Sequence, residues 1–160
     1  MPAVNRPLGS RAIRLQGQRV TLRPVTVEDL PAVESWYPEA AGADAGACLL
    51  VITRSDDPAP IGVLDYRLGQ PGEGWLTVAF VAAGAGDRGW GYGSEAVRLL
   101  EEYVASGGQA ERIRADVDAG NGLGLYFWLR LGYRPARPGE VPGGASRGII
   151  SMVRRAEPRT

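Results

Sequence analysis

Apolar and polar residues alternate in several short segments of the chain, a pattern typical of strands with one buried face. In the segment 19–24, Val20 and Leu22 stand between polar residues, and Pro24 ends the run. On this basis, or from runs of β-branched and aromatic residues, strands are predicted at 49–53, 61–68, 75–81, 110–118 and 149–153, with a short one from Tyr133. Turn residues separate the first three of these segments, so the three are predicted to form an antiparallel meander.

Apolar residues at helical spacing indicate three helices. The first, 26–37, opens with a Thr-x-x-Asp sequence that resembles a capping box. The second covers 95–104, and the third covers 121–131 with Gly132 as its C-cap. Each is long enough to cover part of one face of a sheet.

The second helix connects two predicted strands, 75–81 and 110–118, which are therefore expected to be parallel neighbours. Together with the meander, this predicts an α/β (α+β) fold with a mixed, mostly antiparallel central sheet and flanking helices. A length of 160 residues fits one domain. We expect that domain to span 18–155, with loose tails at 1–17 and 156–160.

The composition argues against several classes of function. Basic and acidic residues number 18 each, so the formal net charge of +0 lacks the signature of a nucleic-acid-binding protein. The sequence has no histidine, which argues against a metal site. The single cysteine, Cys48, cannot form an internal disulfide. No segment has the apolar length of a membrane span or the core of a secretory signal, so a cytoplasmic location is expected.

A glycine-rich segment, 82–94, lies between the predicted strand 75–81 and the helix 95–104. Its five glycines leave main-chain amides accessible to a ligand. The helix start adds unpaired N–H groups and the positive end of a dipole, and Arg88 adds a forked cation. This order predicts an anion-binding site, most commonly for a phosphate group. The alternative is a plain surface connection.

Two other phosphate-binding motifs fit less well. Gly84, Gly86 and Gly89 match a G-x-G-x-x-G dinucleotide fingerprint, but an acidic residue is then expected about 20 positions later, and Asp116 and Asp118 lie further on. The chain is also short for a dehydrogenase with a separate substrate domain. A Walker A loop is excluded because the sequence contains no lysine.

The better match is Arg88-Gly-Trp-Gly-Tyr-Gly93, an Arg-x-x-Gly-x-Gly signature that continues into Ser94. In its setting of strand, loop and helix, this signature resembles that of the GNAT superfamily of N-acetyltransferases. The resemblance covers most of the chain, from the Thr-Leu-Arg-Pro24 opening to Asn121 and the later Leu-Gly-Tyr133. The opening is most similar to the branch that acetylates ribosomal proteins and small amines.

This resemblance implies that the ligand is acetyl-coenzyme A. Its pyrophosphate would be held by main-chain amides of Arg88, Gly89, Trp90, Gly91, Tyr92, Gly93 and Ser94. Its pantetheine arm would lie along Phe80, Val81 and Ala82, at the end of the strand 75–81. In this family two parallel strands splay apart at that point. The Val81 amide would polarise the thioester carbonyl, and Asn121 and Trp128 would complete the set that contacts the coenzyme.

Two features of the family are missing from the sequence. Relatives often carry a tyrosine that protonates the thiolate, and here that position is Trp128, whose indole is no practical proton source. The strand 75–81 lacks the glutamate that serves many relatives as general base. The candidate bases are therefore Asp65 and Glu28, although such carboxylates are more often solvated surface charges. Catalysis is not excluded, because proximity alone lowers a barrier by roughly 7 to 11 kcal/mol.

The sequence therefore predicts an N-acetyltransferase that transfers an acetyl group from acetyl-coenzyme A to a primary amine by direct attack in a ternary complex. The acceptor is expected to be a small molecule or a peptide N-terminus, without nucleic acid, membrane or metal, and a homodimer is left open. The alternatives are a coenzyme A-binding module that has lost catalysis and an interaction protein without ligand. Four aromatic residues are candidates for lining the acceptor pocket: Trp36, Tyr37, Tyr66 and Trp75.

Overall fold

The computed structural model describes residues 13–42, 48–84, 86 and 91–157. Within them the chain forms eight strands and three α-helices. The strands are β1 (Leu15–Gln16), β2 (Val20–Pro24), β3 (Cys48–Arg54), β4 (Asp57–Leu68), β5 (Trp75–Ala83), β6 (Arg112–Asp118), β7 (Arg134–Pro135) and β8 (Ile149–Arg155). The helices are α1 (Leu30–Trp36), α2 (Tyr92–Gly107) and α3 (Gly122–Arg130), and short 3-10 helices, Val27–Asp29 and Pro38–Gly42, flank α1.

The strands form one sheet in the order β1-β2-β3-β4-β5-β6-β8-β7. β5 and β6 are parallel, as the helical connection between them predicts. The pairs β1–β2, β2–β3, β3–β4, β6–β8 and β7–β8 are antiparallel. The structure confirms the predicted mixed, mostly antiparallel sheet with flanking helices.

The parallel ladder between β5 and β6 is short. Its register begins at Trp75 and ends with Val78 opposite Ala115. β5 continues beyond that pair to Ala83, while β6 stays paired with β8 as far as Asp118. The ladder therefore ends just before the segment of β5 that the sequence analysis assigns to the pantetheine arm.

Residue contacts group the chain into two compact units, and each is described by itself. The first unit comprises the residues up to Tyr66 together with Phe80–Leu100. The second comprises Arg67–Ala79 and the residues from Glu101 onward.

An apolar cluster in the first unit holds α1 against β3 and β4. Val33 and Tyr37 pack there against Leu49, Val51 and Val63, all of them buried. Burying each such side chain contributes about 1.5 to 3 kcal/mol, so the cluster fixes the position of α1 and of the residues that follow it.

The predicted capping box is present before α1. The Thr26 amide donates to Asp29 Oδ2 at 2.8 Å, and the Asp29 amide donates to the Thr26 carbonyl at 3.0 Å. Arg23 donates two further hydrogen bonds to the Asp29 carboxylate, at 2.7 and 3.0 Å. Burial raises the pKa of Asp29, but the bonds from Arg23 and Thr26 outweigh burial and hold that pKa below its ordinary value of 3.8. An ionised carboxylate thus ties the first helical turns to β2.

A separate cluster in the second unit contains Trp75, Val141 and Val153, all buried. Trp75, a predicted lining residue, is therefore part of a core. Gly132 follows α3 in the left-handed conformation, with φ of 91°, which agrees with the predicted C-cap. The next residue, Tyr133, is 2% exposed.

The described end of the predicted N-terminal tail includes a strand. Leu15 and Gln16 pair with β2 as β1, and Ile13 is buried, although the sequence analysis extends a loose tail to Gly17. Two paired residues are too few to produce a recognisable alternation along the chain.

The predicted turn at 54–60 is also shorter in the structure. β4 begins at Asp57, so only Ser55 and Asp56 separate it from β3. Proline lacks an amide proton and is tolerated near strand starts and bulges, and the β3–β4 register shifts between Ile52 and Arg54. The prolines that suggested a turn lie at this irregular end of the strand.

Candidate active site

The end of β5 lies closely against β4 and α1. The Gly84 amide donates to the Ile61 carbonyl of β4 at 2.7 Å. A Cβ at Gly84 would come within 3.0 Å of the Trp36 ring, and a Cβ at Gly62 would collide with the Ala82 carbonyl. Glycine at both positions is what allows this approach. The predicted residues Phe80, Val81 and Ala82 are half-buried at this end of the strand.

The start of α2 provides the second part of the predicted site. Gly91 is exposed and has a φ of 80°, a left-handed conformation that favours glycine. Its carbonyl accepts a hydrogen bond from the Glu95 amide at 3.1 Å, so helical bonding begins here. The amides of the next three residues, Tyr92, Gly93 and Ser94, belong to the first turn of a helix and have no intrahelical acceptor. The predicted residues Arg88, Gly89 and Trp90 lie outside the described residues.

Charged groups surround this helix start. Glu95 accepts hydrogen bonds from the Arg19 and Val20 amides at 2.9 and 3.2 Å, and from Arg19 Nε at 2.9 Å. Burial raises the pKa of Glu95, but these bonds from Arg19 and Val20 outweigh burial and lower that pKa below its ordinary value of 4.5. Two guanidinium groups lie over the Tyr92 ring, with Arg19 Cζ at 5.2 Å and Arg54 Cζ at 5.8 Å from its centroid. Both guanidinium groups therefore lie beside the Tyr92 side chain at the start of α2, where that of Arg19 is also paired with the Glu95 carboxylate.

Asp65, one of the two predicted bases, lies in the interior rather than on the surface. Its exposed fraction is 0%, and it stands opposite Leu49 on the sheet face that α1 covers. The Tyr37 hydroxyl donates to Asp65 Oδ2 at 2.8 Å. The Tyr37 ring in turn stacks on Phe80 of β5, with centroids 4.1 Å apart and planes within 4°. The carboxylate is thus linked through one phenol to the strand that the coenzyme is predicted to follow.

Glu28, the other predicted base, is exposed in the short helix before α1. The neighbouring Asp29 is the buried carboxylate of that segment, and its oxygens already bind Arg23 and Thr26. Glu28 is therefore a solvated surface charge, whereas Asp65 is a buried carboxylate. Tyr66, a predicted lining residue, is 4% exposed and is adjacent to Asp65 on β4.

Two predicted contacts of the coenzyme lie in the second unit. Asn121 is exposed and caps α3, since its Oδ1 accepts from the Gly124 amide at 2.9 Å. Trp128 is buried, with 5% of its surface exposed, and its ring packs edge-on against Tyr133. Tyr133 also donates to the buried carboxylate of Glu101 at 2.7 Å. Trp128 is therefore a packing residue on the buried face of α3, whereas Asn121 remains accessible at the helix start.

A family model described as the acetyltransferase (GNAT) family matches residues 18–133. This is well over half of the chain and includes both the end of β5 and the start of α2. The chain belongs to the GNAT acetyltransferase family. A comparison with curated proteins gives no significant match.

Solved structures agree with the GNAT fold. An acetyltransferase from Agrobacterium tumefaciens C58 has a TM-score of 0.72 at 17% identity, covering 91% of this chain and 95% of that one. One from Thermus thermophilus has a TM-score of 0.63 at 20% identity, with coverages of 89% and 99%. A proposed ribosomal-protein-serine acetyltransferase of Vibrio cholerae has a TM-score of 0.67 at 13% identity, with coverages of 89% and 97%.

Other features of this GNAT protein do not add to the site. In the ranges that the structure describes, no group of three or more His, Cys, Asp or Glu side chains is arranged to hold a metal ion. No helix in those ranges is long and apolar enough to cross a membrane. An open cavity of about 370 Å³ lies at β1, β2 and the β3–β4 turn, but none of the predicted site residues lines it.

The sequence does not predict the polar contacts that Tyr37 and Glu95 make in the structure. Tyr37 was assigned only to a helix face and a pocket lining, because its hydrogen bond joins positions 28 residues apart. Glu95 follows directly on the glycine signature, so its position was a usable signal, but its acceptor role depends on the amides of Arg19 and Val20, 76 and 75 residues away. Neither pairing leaves a trace in local periodicity.

Proposed function

We propose that this protein transfers the acetyl group of acetyl-coenzyme A to a primary amine, by direct attack while both substrates are bound. The observation that carries the proposal is the start of α2. There the exposed, left-handed Gly91 precedes the first amides of a 16-residue helix, and the guanidinium groups of Arg19 and Arg54 lie over the ring of its first residue, Tyr92. Such an arrangement favours a phosphate group, because amides and cations all attract negative charge.

The residues present fit acetyl-coenzyme A. A side chain at Gly91 would need an unfavourable φ and would come within 3.2 Å of Arg19 Nη2, so the position is suited to a ligand that approaches the backbone. The amides from Arg88 to Ser94 would hold the pyrophosphate, and the pantetheine arm would lie along the end of β5 from Phe80 to Ala82. Acetyl-coenzyme A supplies an activated thioester, whose carbonyl the Val81 amide polarises. Asn121 adds a polar contact, whereas the burial of Trp128 argues against one.

Of the two candidate bases, Asp65 is the better placed. It is hydrogen-bonded to a phenol that stacks on Phe80, at the strand assigned to the thioester. Glu28 is exposed and remains the second choice. A general base at this position removes a proton from the acceptor ammonium, because only the neutral amine is nucleophilic.

The acceptor is proposed to be a small amine or a peptide N-terminus, acetylated in the cytoplasm without a covalent enzyme intermediate. Cys48, the single thiol of the chain, is 5% exposed on β3, which supports direct transfer. The likeness to the Vibrio cholerae protein is a reason to include peptide N-termini in the trial substrates. A homodimer is compatible with this scheme and is not required by it.

The second candidate is a module that binds coenzyme A without transfer. The environment of Thr77 favours this module. Thr77 lies on the strand where relatives carry a glutamate, and its hydroxyl already takes part in two hydrogen bonds. It donates to the Gln70 carbonyl at 2.7 Å and accepts from Arg114 Nε at 3.2 Å. Trp128 also supports the binding module, because a buried indole stands where relatives often carry a tyrosine that can donate a proton.

Ligand binding by the intact protein tests the coenzyme part of the proposal. Acetyl-coenzyme A at about 100 times its Kd should stabilise the fold by about 3 kcal/mol, or roughly 5 to 10 °C in Tm. Gly91→Glu should abolish this shift, because it places a carboxylate where the pyrophosphate is expected. The measurement is thermal unfolding of both proteins with and without the coenzyme.

Gly91→Ala is the matched control. It introduces the same backbone strain at a φ of 80° but adds no charge, so it should lower the Tm of the free protein while keeping much of the coenzyme shift. A wild-type Tm that acetyl-coenzyme A does not change would contradict the proposal and the binding module alike. Binding without thiol release for any amine would favour the module.

A further inference from the structure

Tyr37 occupies a defined position between a buried carboxylate and the strand assigned to the thioester. It follows the last residue of α1, where its amide donates to the Val33 carbonyl at 2.8 Å, so its backbone is fixed. Its hydroxyl donates to Asp65 Oδ2 at 2.8 Å, and its ring lies parallel to that of Phe80. Both ends of the side chain are thereby held, which leaves the phenol one orientation.

Asp65 itself is poorly placed to meet a substrate. Its exposed fraction is 0%, whereas Tyr37 retains 7% and Phe80 is half-buried. The apolar neighbours Leu49, Val51 and Val63 share the sheet face on which Asp65 lies. A proton can therefore reach this carboxylate more readily along a hydrogen bond than by direct contact with an acceptor.

We infer that Tyr37 is a proton relay, through which the acceptor ammonium is deprotonated by Asp65. The inference rests on the proposed amine acetylation and names a further catalytic residue for it. Tyr37 Oη meets the acceptor nitrogen, and its stacking on Phe80 aligns the phenol with the end of β5. Asp65 acts behind it as the proton store.

The proton balance of this step is closed. The acceptor R–NH₃⁺ passes one proton to Tyr37 Oη while the phenolic proton of Tyr37 moves to Asp65, so that R–NH₂, neutral tyrosine and neutral Asp65 result. The amine nitrogen then bonds to the acetyl carbon as the carbon–sulfur bond breaks, and the second nitrogen proton goes to the departing thiolate. Asp65 returns its proton to solvent through Tyr37, which restores the starting state.

The variants that test the relay change single atoms. Tyr37→Phe removes only the hydroxyl and keeps the ring that stacks on Phe80. Asp65→Asn keeps the shape of the side chain and removes its charge. Tyr103→Phe is the matched control, because Tyr103 is a partly buried tyrosine of α2 that has no part in the proposed site.

The kinetic readout is release of free coenzyme thiol with 2-phenylethylamine, an alkyl diamine and a short peptide with a free N-terminus. For the best of these, kcat should fall about 100-fold or more in Tyr37→Phe and Asp65→Asn. The double variant should fall no further than the more impaired single one, since both residues serve one proton path. The affinity of these variants for acetyl-coenzyme A and the kcat of the Tyr103→Phe control should stay at the wild-type level.

Hydroxylamine separates a proton relay from a purely structural role. Its nitrogen is already neutral near neutral pH, so turnover with it should not need the relay. The ratio of alkylamine to hydroxylamine turnover should therefore collapse in Tyr37→Phe. This ratio is measured within one variant and does not depend on how much of the protein is folded, so it decides the question even if Asp65→Asn does not fold.

Three results would overturn the relay. The first is a Tyr37→Phe protein with wild-type kcat for alkylamines. The second is an equal loss with alkylamines and hydroxylamine, which would show that the hydroxyl is only structural. The third is a wild-type protein that binds no acetyl-coenzyme A or releases no thiol with any amine, which would overturn the proposed function and not only the relay.

Discussion

Asn121 shows how a single side chain can serve the fold at a position assigned to the coenzyme. Its Oδ1 accepts a hydrogen bond from the Gly124 amide at 2.9 Å at the start of α3. A Cβ at Gly124 would come within 2.9 Å of Asn121 Cγ, so the glycine makes room for this cap. The asparagine and the glycine three residues later thus form one capping arrangement.

Replacing Asn121 by alanine should destabilise the protein by about 1 kcal/mol, because one amide of the first turn of α3 loses its acceptor. Chemical denaturation monitored by circular dichroism measures the change. Asn121→Asp is the control, since a carboxylate oxygen can also cap the helix and favours its positive end. An alanine variant as stable as wild type would mean that the cap is not formed in solution.

Asp65 illustrates what a sequence can and cannot reveal about a site. The glycine signature and its neighbours indicated the helix start and the family, because these depend on local order along the chain. The burial of Asp65 could not be inferred from alternation, since Ile61 to Tyr66 are all buried and β4 has no polar face there. Its partner, Tyr37, comes from an element 28 residues earlier. Pairings of that kind arise only when the sheet and α1 have assembled.

At the level of elements, the connection 136–148 is anchored more firmly than its proline and glycine content suggests. Glu140 accepts hydrogen bonds from Arg134 Nη1 at 2.8 Å and from the Arg137 amide at 2.9 Å, and it pairs with Arg112 of β6 at 3.4 Å. Val141 is buried beside Trp75. The first half of this segment is therefore held in place by ion pairs, hydrogen bonds and apolar packing within the second unit.

The anchoring of Glu140 predicts a pH dependence. The hydrogen bonds from Arg134 and from the Arg137 amide lower the pKa of Glu140 from 4.5 to about 2. A depressed carboxyl pKa stabilises the folded state above the ordinary value, and that contribution is lost as the pH falls through the folded value. Glu140→Gln should thus be less stable than wild type at neutral pH, with a difference that shrinks between pH 4.5 and about 2.

Urea denaturation across that pH range measures this difference. Glu73→Gln serves as the control, since Glu73 is exposed and should show little change at any of these pH values. If the Glu140→Gln difference stays constant from neutral to acid pH, the ion pairs in the structure do not contribute through charge.

For the whole molecule, the family and the fold are established, while the reaction is inferred from the site. The loop signature, the parallel β5–β6 pair and the family match agree on a GNAT acetyltransferase, and the start of α2 is the proposed site for a phosphate-bearing ligand. The sequence says much less about the acceptor site than about the coenzyme site. No charged or polar pattern along the chain identifies Tyr37 and Asp65 as neighbours. Their hydrogen bond is the basis of the proposed proton relay, which kinetic measurements can test.

Product analysis tests the central claim most directly. The wild-type protein is incubated with acetyl-coenzyme A that carries an isotopically labelled acetyl group, together with the alkylamines and the peptide, and the products are identified by mass spectrometry. The account predicts a labelled amide on the nitrogen of at least one amine, formed in the same amount as the free thiol. Thiol release without a labelled amide, or a protein that binds the coenzyme and acetylates no amine, would contradict it.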